Sequence, residues 1–129
     1  MKKRISMISF VAVLCLVFGS VSAFAASFSF HFTPPFVGSL KSTSTQKVTT
    51  LAAAYVNPST SATPTSYFLS PTPGSSTNAT NIITDISTSG SRSLTYNSGY
   101  GGMGTSLCLS GYPSNFDFVD YNIAGTWSP

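Results

Sequence analysis

Between Ser27 and Thr33 every second residue is a phenylalanine: Phe28, Phe30 and Phe32 alternate with Ser27, Ser29, His31 and Thr33. Successive side chains of a strand point to opposite faces, so this period gathers the three rings on one side, whereas a helix would scatter them. A strand over residues 26–33 is therefore predicted. Pro34 and Pro35 end it, because neither can donate to a ladder.

The same period recurs along the chain. A short, weaker segment at 36–40 precedes a polar loop at 41–46. Residues 46–56 then predict a long strand, with Leu51, Ala53 and Tyr55 on one face and Val48, Thr50, Ala52, Ala54 and Val56 on the other. Both faces are apolar, which suits a central strand. Asn57, Pro58 and the Ser/Thr cluster up to Pro64 predict a loop. Strands follow at 65–70 and 80–87, separated by a Pro/Gly turn and the loop 75–79. Ser89 and Gly90 turn the chain into 91–97, so 80–87 and 91–97 are expected to form a hairpin.

Residues 98–104, with four glycines, are the most flexible stretch on composition. In 105–110, Thr105, Leu107 and Leu109 share one face and Ser106, Cys108 and Ser110 the other. A turn at 111–115, a strand at 116–123 and a closing segment through Trp127 complete the pattern. No stretch beyond the N-terminal apolar run keeps a helical period over three turns. Thr, Tyr, Phe, Ile and Val favour a pleated, half-buried surface. The expectation is a single all-β domain, an antiparallel sandwich of seven or eight strands in preference to a small barrel.

The N-terminus obeys different rules. Lys2, Lys3 and Arg4 precede an apolar run from Ile5 to Val17, and Ala23 and Ala25 place small residues where signal peptidase reads. Residues 1–25 are predicted to be a secretory signal cleaved after Ala25, or two residues earlier after Ala23. The run is short for an uncleaved membrane anchor, and the alternating phenylalanines after it are not lipid-like. The mature domain is then residues 26–129, enough for one core.

Removal of the signal changes the charge. The whole chain carries a formal +3, but three of its six basic residues leave with the signal. Lys41, Lys47 and Arg92 then balance Asp85, Asp117 and Asp120. A near-neutral chain has no electrostatic footprint for nucleic acid, and contact with membrane is expected only through the signal before cleavage. Ser and Thr supply about a third of the mature residues and Glu is absent. The spread of aromatic and β-branched residues nevertheless argues for a packed core over disorder.

Catalytic parts are scarce. His31 is the single histidine, so no His-based zinc site can be assembled within one chain, and on the polar side of its strand it reads as a surface residue. Asp117 and Asp120, three apart, point to opposite faces of a strand and do not converge as an acid/base pair. The glycines of 98–104 have no lysine among them and no helix after them, so they do not form a phosphate loop. No enzyme activity, metal or other cofactor is expected. Cys108 is the only cysteine left after cleavage. Free cysteine is commonly a small, buried, semi-apolar strand residue, and that is the first reading. By parity, however, Cys108 lies opposite Leu107 and Leu109, so if one face alone is buried its sulfur points outward and an intermolecular disulfide is the alternative.

What remains is aromatic surface. Tyr and Trp join a flat apolar face to a hydrogen-bonding tip, which suits a sugar ring, a wall polymer or another protein. Tyr100, Tyr112 and Trp127, beside Gly, Pro or the C-terminus, are the ones expected to be exposed and to bind a ligand. Most of the remaining tyrosines are expected to fill the core or its ends.

The leading SFSFHF (27–32) and the closing TSLCL (105–109) and YNIAGTW (121–127) carry a resemblance. In outline the chain resembles the small exported β-sandwich proteins of Gram-positive bacteria, a loose group that includes lactococcin-type bacteriocins. This chain is longer, less basic and poorer in histidine than those bacteriocins. The resemblance implies an exported β-sandwich, with a bacteriocin-like toxicity as one role. The neutral, catalytically empty but aromatic mature chain leads to the first expectation, a secreted non-enzymatic protein that binds a cell-wall glycan or surface protein. Low charge with Thr-rich edge strands leads to a third, self-association as an extracellular structural subunit.

Overall fold

The computed structural model describes residues 25–33, 40–48, 53–60, 63–115 and 120–129. All of the predicted signal but Ala25, all of the segment expected at 36–40 but Leu40, and Asp117 lie outside the described residues. Among those described, nine strands form two antiparallel sheets and no helix is present. In chain order they are β1 (Ala26–Phe32), β2 (Lys41–Ser42), β3 (Gln46–Lys47), β4 (Ala54–Thr60), β5 (Thr65–Ser70), β6 (Ile83–Ile86), β7 (Arg92–Leu94), β8 (Ser106–Pro113) and β9 (Tyr121–Ser128). One sheet runs β1-β9-β4-β7; the other runs β2-β8-β5-β6, with β3 also on β8. The arrangement is all-β and sandwich-like.

The phenylalanines of β1 behave as their spacing demands. Phe28, Phe30 and Phe32 are buried while Ser27, Ser29 and His31 are exposed. Their rings meet Ile123 and Trp127 of β9, Val56 of β4, and Tyr67, Leu69, Leu107 and Leu109 of the opposite sheet in one core. Phe28 and Tyr67 bridge the two sheets edge to face, ring centres 6.0 Å apart, a geometry that aromatic quadrupoles favour.

Several boundaries differ from the sequence expectation. The long strand predicted over 46–56 does not stay in one sheet: β3 pairs with β8, whereas β4 pairs with β9 and β7. Val48, just after β3, and Ala54 and Val56 of β4 are buried in the same core, so alternation cannot reveal the crossing. β4 also continues to Thr60, through the expected loop. Pro58, which has no N–H to donate, sits where the β4–β9 register slips just beyond it, and its carbonyl accepts from Gly90 N–H (3.2 Å). β2 forms where a loop was expected, and β8 continues through the predicted turn to Pro113.

The predicted hairpin forms only at its far end. Asn81 N–H donates to Thr95 O and Asn97 N–H to Ala79 O, each at 2.9 Å, around an isolated Thr80–Tyr96 bridge. Beyond it β6 joins β5 and β7 joins β4, in different sheets. Asp85 adopts φ = 58°, which breaks the alternation. Ile83 and Ile86 consequently both pack on the core, and Ile82 is exposed. The glycine-rich 98–104 is held by turns, with Tyr100 N–H on Asn97 O and Thr105 N–H on Gly102 O, and Gly104, at φ = 81°, donates its N–H to Val48 O.

Candidate functional site

The two sheets differ in their outward faces. In the β2-β8-β5-β6 sheet, Phe68, Ser70, Cys108 and Ser110 face away from the apolar core and are nevertheless buried. In the β1-β9-β4-β7 sheet most outward residues face solvent, with Ala124, Thr126 and Ser128 of the central β9 half-buried. Ser27, Ser29 and His31 of β1, Asn122 of β9, and Tyr55, Asn57 and Ser59 of β4 are all exposed. The face is built of hydroxyls and amides.

Register arranges these groups in rows across the strands. Thr126 lies between Ser27 of β1 and Asn57 of β4; one step along, Ser128 lies beside Tyr55, whose other neighbour is Ser93. In the next row Ser29 is opposite Ala124, whose carbonyl accepts from the Ser59 hydroxyl at 3.0 Å. At the far end His31 Nδ1 meets Asn122 Oδ1 at 2.5 Å, and its Nε2 lies 3.7 Å from an Asp120 carboxylate oxygen. His31 is an exposed surface residue, as its parity indicated.

Two hollows are sunk into this face. One, of about 180 Å³, is bounded by Tyr55, Asn57, Ser91, Trp127 and Ser128, with Ala25, the last residue of the expected signal, at its edge. The other, of about 310 Å³, is bounded by Ser27, Asn57, Ser59 and Ala124, with Phe28 and Gly125 also lining it. They share Asn57 and Thr126 and so adjoin, one on each side of that pair; together they are termed the trough below. Gly125 permits the close approach of β4 and β9 there: a Cβ at this position would stand 2.2 Å from Asn57 O and 2.9 Å from Phe28 Cε1.

The three aromatic residues singled out by sequence stand on different parts of the fold. Trp127 was expected at the surface, but it is 2% exposed and belongs to the core, because β9 runs on to Ser128 and its parity turns Trp127 inward. It also lines the smaller hollow. Tyr100 is half-buried against the core from the turn after β7. Tyr112 is half-buried and meets Phe68 edge to face at 6.3 Å. Tyr55, not among the three residues expected to be exposed, is 45% exposed. The signal for it was Tyr55, Asn57 and Ser59 alternating with Val56 and Pro58; the Asn-Pro dipeptide masked that alternation by suggesting a loop.

Cys108 is opposite the leucines, as parity required, but its thiol is enclosed. The premise of a single buried face does not hold for β8. Among the described residues no three of His, Cys, Asp and Glu cluster as metal ligands. Inside the core the Tyr67 hydroxyl has no partner in hydrogen-bond geometry. Burial pushes this phenol well above the usual tyrosine range, which the nearby Thr65 hydroxyl and Arg92 only partly offset. Burial raises Tyr96 as well.

Compared with known families, characterised proteins and solved structures, the chain matches no family model, no characterised protein and no solved structure.

Proposed function

We propose that the mature chain, residues 26–129 after loss of the signal, is a secreted, non-enzymatic β-sandwich that binds or coats an extracellular or cell-wall surface. The observation that carries this reading is the contrast between the two sheets. One is buried on both faces of its central strands, while the other leaves a broad, open face of hydroxyl, amide and tyrosine groups. A face that had only to be soluble would be expected to carry charge. Among the described residues, Lys41, Lys47 and Asp85 lie on β2, β3 and β6 of the other sheet, Arg92 is folded back onto Thr88 Oγ1 (2.7 Å) and Gly90 O (2.8 Å), and Asp120 stands with His31 at the far end of the open face.

The test is sedimentation of the exported protein with intact Gram-positive cells, with survival counted in the same tubes. Pelleting with full survival supports a surface-binding module. Killing would favour the bacteriocin-like role, and protein that stays in the supernatant would refute binding.

A second reading, self-association, is favoured by β1. It ends its sheet, pairs with β9 without a register break over seven residues, and carries neither Lys nor Pro. Such an edge invites pairing with another chain. Light scattering across a concentration series checks this: growth in mass that Ser29→Lys suppresses supports it, and a constant monomer mass rules it out.

A further inference from the structure

We infer that the trough on the β1-β9-β4-β7 face binds an uncharged polysaccharide chain, with Tyr55 stacked on a sugar ring and the Ser27–Thr126–Asn57 row bonded to ring hydroxyls. The inference rests on the surface-binding reading and names its ligand class.

Three features converge on it. The first is neutrality: Lys41, Lys47, Asp85, Arg92 and Asp120 all lie outside the lining of both hollows. A nucleic acid, an acidic polymer or a basic peptide needs charge opposite it, and the trough presents none. The second is the mixture of surfaces. A pyranose has flat C–H faces and a rim of hydroxyls. The trough matches both, with the exposed Tyr55 and the Phe28–Gly125 floor as apolar elements, and with Ser27, Asn57, Ser59 and Thr126 as donors and acceptors.

The third is shape. The two hollows are open and adjoin at Asn57 and Thr126, following one another along β4 and β9. Neighbouring strands are about 4.8 Å apart and alternate residues about 6.8 Å apart, so polar groups recur on the scale of a sugar residue. The rows sit on sheet backbone, which limits the entropy lost on binding. Open hollows in succession suit a polymer, and Trp127 contributes to the floor of the smaller one from within the core.

The experiment is calorimetric titration of the exported protein with cellohexaose, chitohexaose and laminarihexaose, repeated with Tyr55→Ala, Asn57→Ala and, as a control away from the trough, Tyr112→Ala. Binding of at least one oligosaccharide is expected. Tyr55→Ala should weaken it at least about tenfold, Asn57→Ala by a smaller factor, and Tyr112→Ala not at all, with unchanged thermal midpoints for Tyr55→Ala and Asn57→Ala. Absence of binding to all three, or an undiminished affinity in Tyr55→Ala, would overturn the inference. Affinity that falls steeply with added salt would also overturn it, since that is the signature of a charged ligand. Cell sedimentation separates this proposal from the broader one: if Tyr55→Ala still pellets like the parent protein, surface binding stands and the trough is not its site.

Discussion

The Sγ of Cys108 lies 3.2 Å from the Oγ of Ser70, and that hydroxyl lies 2.6 Å from Ser110 Oγ, which meets Ser42 Oγ at 2.8 Å. The thiol also reaches the Ser70 carbonyl at 3.3 Å. This polar line crosses β5, β8 and β2 on the face opposite the apolar core. A sulfur so engaged and enclosed is inert. In the exported protein Cys108 is therefore expected to resist a thiol reagent under native conditions and to react fully in denaturant, with a monomer on a non-reducing gel. Rapid native labelling would mean that this face is open, and would restore the disulfide-linked dimer.

At Gly125 the missing side chain is a requirement of packing. A Cβ would stand 2.2 Å from Asn57 O and 2.8 Å from Pro58 Cα, both backbone atoms that cannot rotate away. Overpacking typically costs about 1–3 kcal/mol. Gly125→Ala should reach or exceed the upper end, because β4 must separate from β9. Gly111→Ala, whose nearest neighbour is the Phe30 ring at 3.1 Å, should cost less. Urea denaturation of the two variants gives the ordering.

Tyr67 makes stability sensitive to alkali. Its phenol ionises in the unfolded chain near pH 10 and at higher pH in the folded one, so the folded state holds more protons above pH 10. Stability should be unaffected below that point and decline above it, by at most about 1.4 kcal/mol per pH unit from this group. Tyr67→Phe should flatten the decline without abolishing it, since Tyr96 is raised too. At neutral pH the same variant should be about as stable as the parent or more so, because it removes a buried hydroxyl that lacks a partner. Urea midpoints at pH 8 and pH 11 test both statements.

Trp127 and Tyr55 should respond in opposite ways. Trp127→Ala empties a core position and is expected to cost about 3–5 kcal/mol. Tyr55→Ala, on the open face, should change stability by no more than about 0.5 kcal/mol. A binding defect in the tryptophan variant would then reflect unfolding, and one in the tyrosine variant a lost contact; thermal melts alongside the binding assays distinguish the two.

Local pattern carried a good deal of this fold. The alternation at Phe28, Phe30 and Phe32, the six residues of β5, and the opposition of Cys108 to Leu107 and Leu109 were all legible, because side-chain parity is a property of the strand itself. Charge balance and the lack of a second histidine are likewise matters of composition.

Tertiary structure decided what parity cannot express. Alternation tells which side chains share a face, but not which sheet the strand joins or whether the opposite face is covered as well. Thus β3 and β4 separated into different sheets, β6 and β7 parted beyond the Thr80–Tyr96 bridge, and the thiol of Cys108 was enclosed. The trough belongs to the same category. Ser27, Asn57 and Thr126 are far apart in the chain, and only the β1-β9-β4 register makes them neighbours.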